Sequence, residues 1–194
     1  MSAIKKVLIK KDLSCQPIWF MRQAGRYLPE FRKIRLSNQN FINLCLNSEL
    51  SSEITLQPIK RYNLDAAIIF SDILIVPYAL GQEVKFIKNK GPVLSELDLN
   101  KLLNNKKKLF IEKLNPIYEA IKKTREKLDK KKSLISFVGA PWTLIIYMLG
   151  LKEDNNKVNL LKINENKRNI NIILEKIIEY LCVHIEHQIN AGAD

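Results

Sequence analysis

Asp65-Ala66-Ala67-Ile68-Ile69-Phe70-Ser71-Asp72 is the stretch on which the fold turns. Five consecutive apolar residues end in two polar ones. An unbroken apolar run of strand length reads as a strand buried on both faces, the kind a parallel sheet contains. Just upstream, Ser48 to about Tyr62 reads as a helix, with Leu50, Ile54, Leu56 and Ile59 available for burial. Ser48 suits its N-cap and Glu49 its first turn. Pro58 should kink it. Further upstream, Pro17 to Met21 reads as another buried strand, followed by a polar, Gly-containing loop over Arg22 to Tyr27 and a helix over Phe31 to Arg35.

Downstream, Gly81 to Pro92 is a small excursion with a short hairpin around Val84-Lys85-Phe86. A long amphipathic helix follows over about Leu109 to Leu128, its stripe Phe110, Leu114, Ile117, Tyr118, Ile121 and Leu128 close to the helical period. Pro116 within it allows one kinked helix or two. Ser133 to Val138 is a third buried strand, and Gly139 to Trp142 the loop after it. Thr143 to about Leu149 is helical, and Lys152 to Lys157 is a flexible loop or helix break. A final helix covers about Asn166 to Asn190, with Ile170, Ile173, Leu174, Ile177, Ile178, Leu181, Ile185 and Ile189 as its stripe.

Buried strands alternating with helices imply an α/β fold with a parallel sheet. No GxGxxG follows the first strand, which disfavours a dinucleotide-binding fold. Polar residues cluster just after each strand, which favours a (β/α)8 TIM barrel. A full barrel takes about 250 residues. Residues 1–194 therefore read as the N-terminal portion of one barrel domain, about three βα units, apparently truncated after Ala191-Gly192-Ala193-Asp194. Three parallel strands leave an open apolar edge, so the fragment by itself is expected to be poorly ordered and inactive.

The hydrophobic content of 46% is that of an ordinary globular protein. The net charge of +12 comes from lysines scattered through helical stretches, such as Lys106 to Lys108 and Lys130 to Lys132. Without an aromatic-interleaved basic motif it does not indicate nucleic acid. Cys15, Cys45 and Cys182 are far apart and odd in number, which suggests neither a disulfide framework nor a zinc ribbon. The apolar run Val7-Leu8-Ile9 is too short for a signal peptide, and Ile73 to Leu80 is too short to span a bilayer. The expectation is a soluble cytoplasmic chain with no membrane partner.

Barrel logic places functional groups on the loops after the strands. Those loops offer Arg22 and Arg26, then Asp72, then Tyr147 just beyond the Pro141-Trp142 turn. Guanidiniums grip carboxylates bidentately, a carboxylate accepts N–H groups or stabilises a developing cation, and a phenol donates to a further carboxylate. Such a mouth suits a polyanionic ligand with an N–H-rich centre. Each residue also has a plainer reading: surface arginines beside a helix start, an Asp capping the next segment, a core tyrosine. Trp19 and Trp142 read as packing residues beside the site. His184 and His187 flank Glu186, but no third ligand has metal-site spacing, and no nucleophile triad stands out.

The run Pro17-Ile18-Trp19-Phe20-Met21-Arg22-Gln23-Ala24-Gly25-Arg26-Tyr27-Leu28-Pro29-Glu30-Phe31-Arg32 closely resembles the N-terminal signature of uroporphyrinogen decarboxylases. Phe70-Ser71-Asp72-Ile73-Leu74 with Pro77 and Ala79-Leu80-Gly81 is similar to their second signature loop. Gly139-Ala140-Pro141-Trp142-Thr143-Leu144 through Tyr147-Met148 is similar to the third. The resemblance implies a cofactor-free carboxy-lyase of haem biosynthesis, acting on a polycarboxylate tetrapyrrole and forming a homodimer at full length. It converts the four acetate side chains of uroporphyrinogen III to the methyls of coproporphyrinogen III. By the same resemblance Arg22 and Arg26 bind carboxylates, Arg22 is a candidate general acid, and Gln23, Ala24 and Gly25 complete the wall through backbone contacts. Asp72 is the catalytic aspartate that accepts pyrrole N–H groups, and Tyr147 contacts a carboxylate. The family's later site residues, a serine and a histidine, have no counterpart in this chain. Leu149-Gly150-Leu151-Lys152 is less Gly-rich than the family pattern. A corrinoid-linked methyltransferase-type barrel and an inactive anion-binding fragment are the alternative readings.

Overall fold

A computed structural model of the chain describes residues 1–87, 90–152, 157–165 and 167–194. In chain order it contains α1 (Ala3–Lys10), α2 (Pro29–Ser37), α3 (Phe41–Cys45), α4 (Ser48–Tyr62), β1 (Ala66–Ile68), α5 (Ile75–Ala79), β2 (Val84–Ile87), β3 (Gly91–Leu94), α6 (Leu99–Leu103), α7 (Lys107–Lys127), β4 (Ser133–Ile135), α8 (Pro141–Met148), α9 (Leu160–Glu165) and α10 (Lys167–Asn190). The fold is mixed α/β. It divides into two compact units: Met1–Ser71 with Asn115–Phe137 and His187–Asp194, and Asp72–Leu114 with Val138–Glu186.

The first unit is built on β1. It pairs in parallel with β4, Ala66 opposite Ser133, Ala67 opposite Leu134 and Ile68 opposite Ile135. Ile69 N–H extends the ladder to Ile135 C=O at 2.9 Å. One residue on, side chains of α4 take over: Phe70 N–H donates to Thr55 Oγ1 (2.8 Å) and Ser51 Oγ donates to Phe70 C=O (2.6 Å). The alternation of Ser51 and Thr55 with Ile54 and Leu56 on a buried helix thus has a purpose, since a strand end away from its ladder still needs partners. Helix α4 is capped by Asn47, whose Oδ1 accepts from Leu50 N–H at 3.0 Å, and not by Ser48. It runs unbroken through Pro58, and α7 runs as one helix through Pro116. Leu28, Phe31, Leu44 and Ile54 form a core cluster against which Phe70 packs.

The segment Pro17–Met21 is not a strand of a ladder. Ile18, Phe20 and Met21 are 60%, 60% and 73% exposed, so their apolar character does not reflect burial. The segment is held at one residue. Asp65 N–H donates to Ile18 C=O (2.9 Å), and Ile18 N–H donates to Asp65 Oδ2 (2.7 Å). The Asp65 carboxylate therefore substitutes for main-chain pairing, which is why no ladder propagates. Asp194 repeats the device on β4: its N–H donates to Leu134 C=O (2.8 Å) while its Oδ2 accepts Leu134 N–H (2.7 Å). The third expected strand, Ser133 to Val138, is ordered as a strand only to Ile135. Beyond it, Phe137 C=O accepts from Gln188 Nε2 at 3.1 Å.

In the second unit β2 and β3 form the expected hairpin, antiparallel with Val84 opposite Leu94. Phe110 is fully buried, edge-on to Tyr180 at 4.7 Å between ring centroids. The stripe read for α7 is buried throughout. That of α10 is only partly so: Ile170, Ile173, Ile177 and Leu181 are buried, but Ile178, Ile185 and Ile189 are exposed, and Tyr180, His184 and Gln188 occupy the buried face. The loop expected at Lys152 to Lys157 has its interior, 153–156, outside the described residues, as is Asn166 at the expected start of α10. No helix among the described residues is long and apolar enough to cross a membrane.

The Asp65 clamp needs an acceptor and not a charge. Asp65→Ala should speed amide exchange at Ile18 at least tenfold, whereas Asp65→Asn, which keeps one carbonyl oxygen, should retain most of the protection; hydrogen-exchange NMR or mass spectrometry reads both.

Candidate active site

The loop Arg22–Arg26 lies in the first unit and is braced from within. Gln23 is buried, and both atoms of its side-chain amide bond to β1: Nε2 donates to Ala66 C=O (2.7 Å) and Oε1 accepts from Ile68 N–H (3.3 Å). The Tyr27 hydroxyl donates to Gln23 C=O, and desolvation raises the Tyr27 pKa, keeping it a neutral donor. Leu28 N–H donates to Gly25 C=O at 3.0 Å, and Arg32 Nη1 donates to Arg26 C=O at 2.8 Å. The carbonyls of Gln23, Gly25 and Arg26 are thus all engaged. Among the described residues no acceptor within the chain takes the N–H of Ala24, Gly25 or Arg26. A loop with its carbonyls occupied and N–H groups left over favours anions.

The guanidiniums follow the same division. Arg32 and Arg35 donate to carbonyls, Arg61 pairs with Glu30, and Arg125 pairs with Asp194. Arg22 and Arg26 are exposed and have no acidic partner among the described residues. Arg26 borders a shallow groove with Phe31, Arg32, Arg35, Leu36 and Gln39.

Asp72 belongs to the second unit, where its capping role is seen directly. Its Oδ1 accepts from Leu74 N–H at 2.8 Å, so it does organise the turn entering α5. Oδ2 has no partner within the chain among the described residues. Burial raises the Asp72 pKa, opposed by the Leu74 hydrogen bond. An ionisable carboxylate held where ionisation is disfavoured is a mark of a functional position.

Tyr147, also in the second unit, sits half-buried on the last turn of α8. That helix begins at Pro141, two residues before the expected start, because proline at the first helical position forfeits no hydrogen bond. Its end is tied down by Gln82, whose Nε2 donates to Met148 C=O (2.8 Å) and Ser95 C=O (2.6 Å). Its approach is set by Gly139, where a Cβ would lie 2.7 Å from Leu144 Cδ2 and 3.0 Å from Ile73 Cβ. The loop after β4 therefore closes tightly on the residue next to Asp72. Trp19 and Trp142 are 39% and 45% exposed. His184 is buried edge-on to Phe110, and His187 stacks on Tyr118. No group of three or more potential metal ligands occurs among the described residues. Sequence reasoning missed the bracing roles of Tyr27, Arg32 and Gln82; nothing in their local spacing signals them.

Residues 1–194 match the sequence model of the uroporphyrinogen decarboxylase (URO-D) family. The chain belongs to the uroporphyrinogen decarboxylase family. A uroporphyrinogen decarboxylase of Rickettsia felis (strain ATCC VR-1525 / URRWXCal2) is 46% identical over 191 residues, covering 96% of this chain and 54% of that one. One from Orientia tsutsugamushi (strain Ikeda) is 44% identical over 199 residues, covering 100% of this chain and 57% of its own. The chain thus spans about half the length of these relatives. Among solved structures, a methyltransferase from Methanosarcina mazei superposes with a TM-score of 0.76 at 18% identity, over 99% of this chain and 56% of that one. At that identity the likeness concerns the fold alone.

Two outcomes follow for this family member. Because the folded Asp72 carboxyl binds its proton more tightly than the unfolded one, its ionisation subtracts from stability as pH rises through the folded value. Asp72→Asn, which keeps the acceptor for Leu74 N–H, should therefore raise the thermal midpoint at pH 7, with the gain fading as pH falls toward 3.8. Gly139→Ala should cost about 1–3 kcal/mol by overpacking, read as a lowered denaturant midpoint.

Proposed function

We propose that this chain carries the substrate-gripping part of a uroporphyrinogen decarboxylase active site, in a single (β/α)8 barrel domain. The observation that carries this reading is the division of labour on one loop: Arg22 and Arg26 keep their guanidiniums unpaired while neighbouring arginines are spent on the fold. Bidentate guanidiniums and a row of free N–H groups suit carboxylates on a tetrapyrrole. The barrel reading is supported by the hydrogen-bonded order Ile18, Asp65, β4, Asp194, each segment bonding to the previous one in chain order. A doubly wound sheet reverses its strand order instead.

In this reading the substrate is its own electron sink. A pyrrole ring is first protonated at a ring carbon. The bond between the acetate methylene and its carboxylate then breaks, carbon dioxide leaves, and the electron pair enters the cationic ring. A proton delivered to the methylene completes the methyl, and the ring carbon gives back the proton it took first, so the pyrrole is restored and one proton is consumed for each carbon dioxide released. Repetition at four acetates gives coproporphyrinogen. Ionised Asp72 accepts pyrrole N–H groups and stabilises the cationic ring through its free Oδ2. Arg22 or water held by it supplies protons, Tyr147 donates to a further carboxylate, and no cofactor takes part. The setting is cytoplasmic haem biosynthesis, with a homodimer at full length.

Binding is tested with uroporphyrin, the oxidised octacarboxylate, by fluorescence titration of the chain. Arg22→Gln and Arg26→Gln should each weaken it about tenfold or more, a loss of a charged hydrogen-bonded contact; two unaltered affinities would refute the loop assignment. Turnover is tested on the chain completed with the remaining length of the Rickettsia felis relative. There Asp72→Asn should lower coproporphyrinogen formation by about 10²-fold or more while uroporphyrin still binds. Unchanged turnover would remove Asp72 from the mechanism.

A further inference from the structure

The side-chain amide of Gln23 occupies the position of a peptide group. In a parallel ladder, a residue facing Ala67 donates its N–H to the carbonyl of Ala66 and accepts the N–H of Ile68 with its own carbonyl. Gln23 Nε2 and Oε1 make those two bonds, at 2.7 and 3.3 Å, on the edge of β1 that β4 leaves free. The residue is only 3% exposed and each polar atom is engaged with β1, so the amide is turned into the fold and away from solvent. Its main chain is fixed from the other side by the Tyr27 hydroxyl on Gln23 C=O.

We propose that Gln23 is a positioning residue: its side chain serves as a one-residue surrogate strand that locks the Arg22–Arg26 loop to β1 and so sets where both guanidiniums are presented. The proposal rests on the reading of that loop as the carboxylate-binding loop. Arg22 is directly before the anchor and Arg26 three residues after it. A rotation of the backbone at residue 23 therefore moves both. Only a primary amide of this length fits. Glutamate lacks the donor for Ala66 C=O, methionine lacks both partners, and asparagine is one methylene short.

Two readouts on the full chain test this, exchange at the Ile68 amide and affinity for uroporphyrin. Gln23→Met should speed Ile68 exchange at least tenfold and weaken uroporphyrin about tenfold, although it touches no ligand atom. Gln23→Glu adds a reversible control that guards against simple misfolding. As a carboxylate it places an oxygen against Ala66 C=O; once protonated it regains both bonds. Its affinity deficit relative to the native chain at the same pH should shrink as pH falls from 8 to 5.5, and Ile68 protection should return with it. Comparison at equal pH cancels protonation of the porphyrin itself. Unaltered Ile68 exchange in Gln23→Met, an affinity within twofold of native, or a Gln23→Glu deficit that ignores pH would each overturn the proposal. Failure of the native chain to bind uroporphyrin would instead overturn the loop reading, with the Ile68 exchange result still standing apart from it.

Discussion

A three-residue strand with two edges has to satisfy both, and the first unit is organised around that demand. Unpaired buried peptide groups cost about as much as a lost hydrogen bond, roughly 1–3 kcal/mol each. On one edge β1 has β4. On the other it has no strand but a carboxylate clamp at Asp65 and the Gln23 amide. At its exit Ser51 and Thr55 take the Phe70 peptide. The chain leaves β1 toward Asp72 with both edges of the strand engaged, by β4 on one side and by side chains on the other. The loop carrying Arg22 and Arg26 is held because it completes an edge, so the scaffold's requirement and the site's geometry are met by the same atoms.

Polarity in that loop is sorted with equal economy. Occupied carbonyls on Gln23, Gly25 and Arg26 remove the negative ends of three dipoles, while N–H groups beside them stay available. The net charge of +12 plays little part in this local pattern. Charge at that range is screened over about 10 Å in ordinary salt, whereas directed N–H groups and guanidiniums act at contact. Asp72 shows the opposite arrangement: a carboxylate kept where burial disfavours its charge, tethered through one oxygen to Leu74 so that the other is free.

What the sequence made legible follows from which forces act locally. The stripe of α7, the hairpin, the parallel pair and the position of Asp72 just beyond β1 were all readable, because period and turn chemistry are local. The failures have a common cause. Isoleucine is abundant on both faces of α10, so apolar count could not single out the buried face; Ile178, Ile185 and Ile189 are exposed while Tyr180, His184 and Gln188 are buried. Pro17–Met21 has strand composition, yet its partner is one residue, Asp65, 47 positions beyond Ile18. Asn47 and Ser48 are both good caps, and only backbone geometry chose between them. The anchors of the site were illegible for the same reason, since Gln23 reaches 43 residues to Ala66 and Gln82 reaches 66 to Met148.

The density of the motif around the loop now has a physical explanation that needs no comparison of sequences. Gln23 bonds β1, Ala24 packs on the core cluster, Gly25 and Arg26 give up their carbonyls, and Tyr27 returns a hydroxyl to residue 23. Leu28 and Phe31 are core, Pro29 starts α2, Glu30 holds Arg61, and Arg32 reaches back to Arg26. Nearly every residue from 23 to 32 therefore fixes another within the same stretch or within α4 and β1. A loop built this way is pre-organised before a ligand arrives, and little ordering entropy remains to be lost on binding. All of the bracing partners lie in the first unit. The presentation of Arg22 and Arg26 is thus a property of that unit by itself, fixed by bonds that are in place without any ligand.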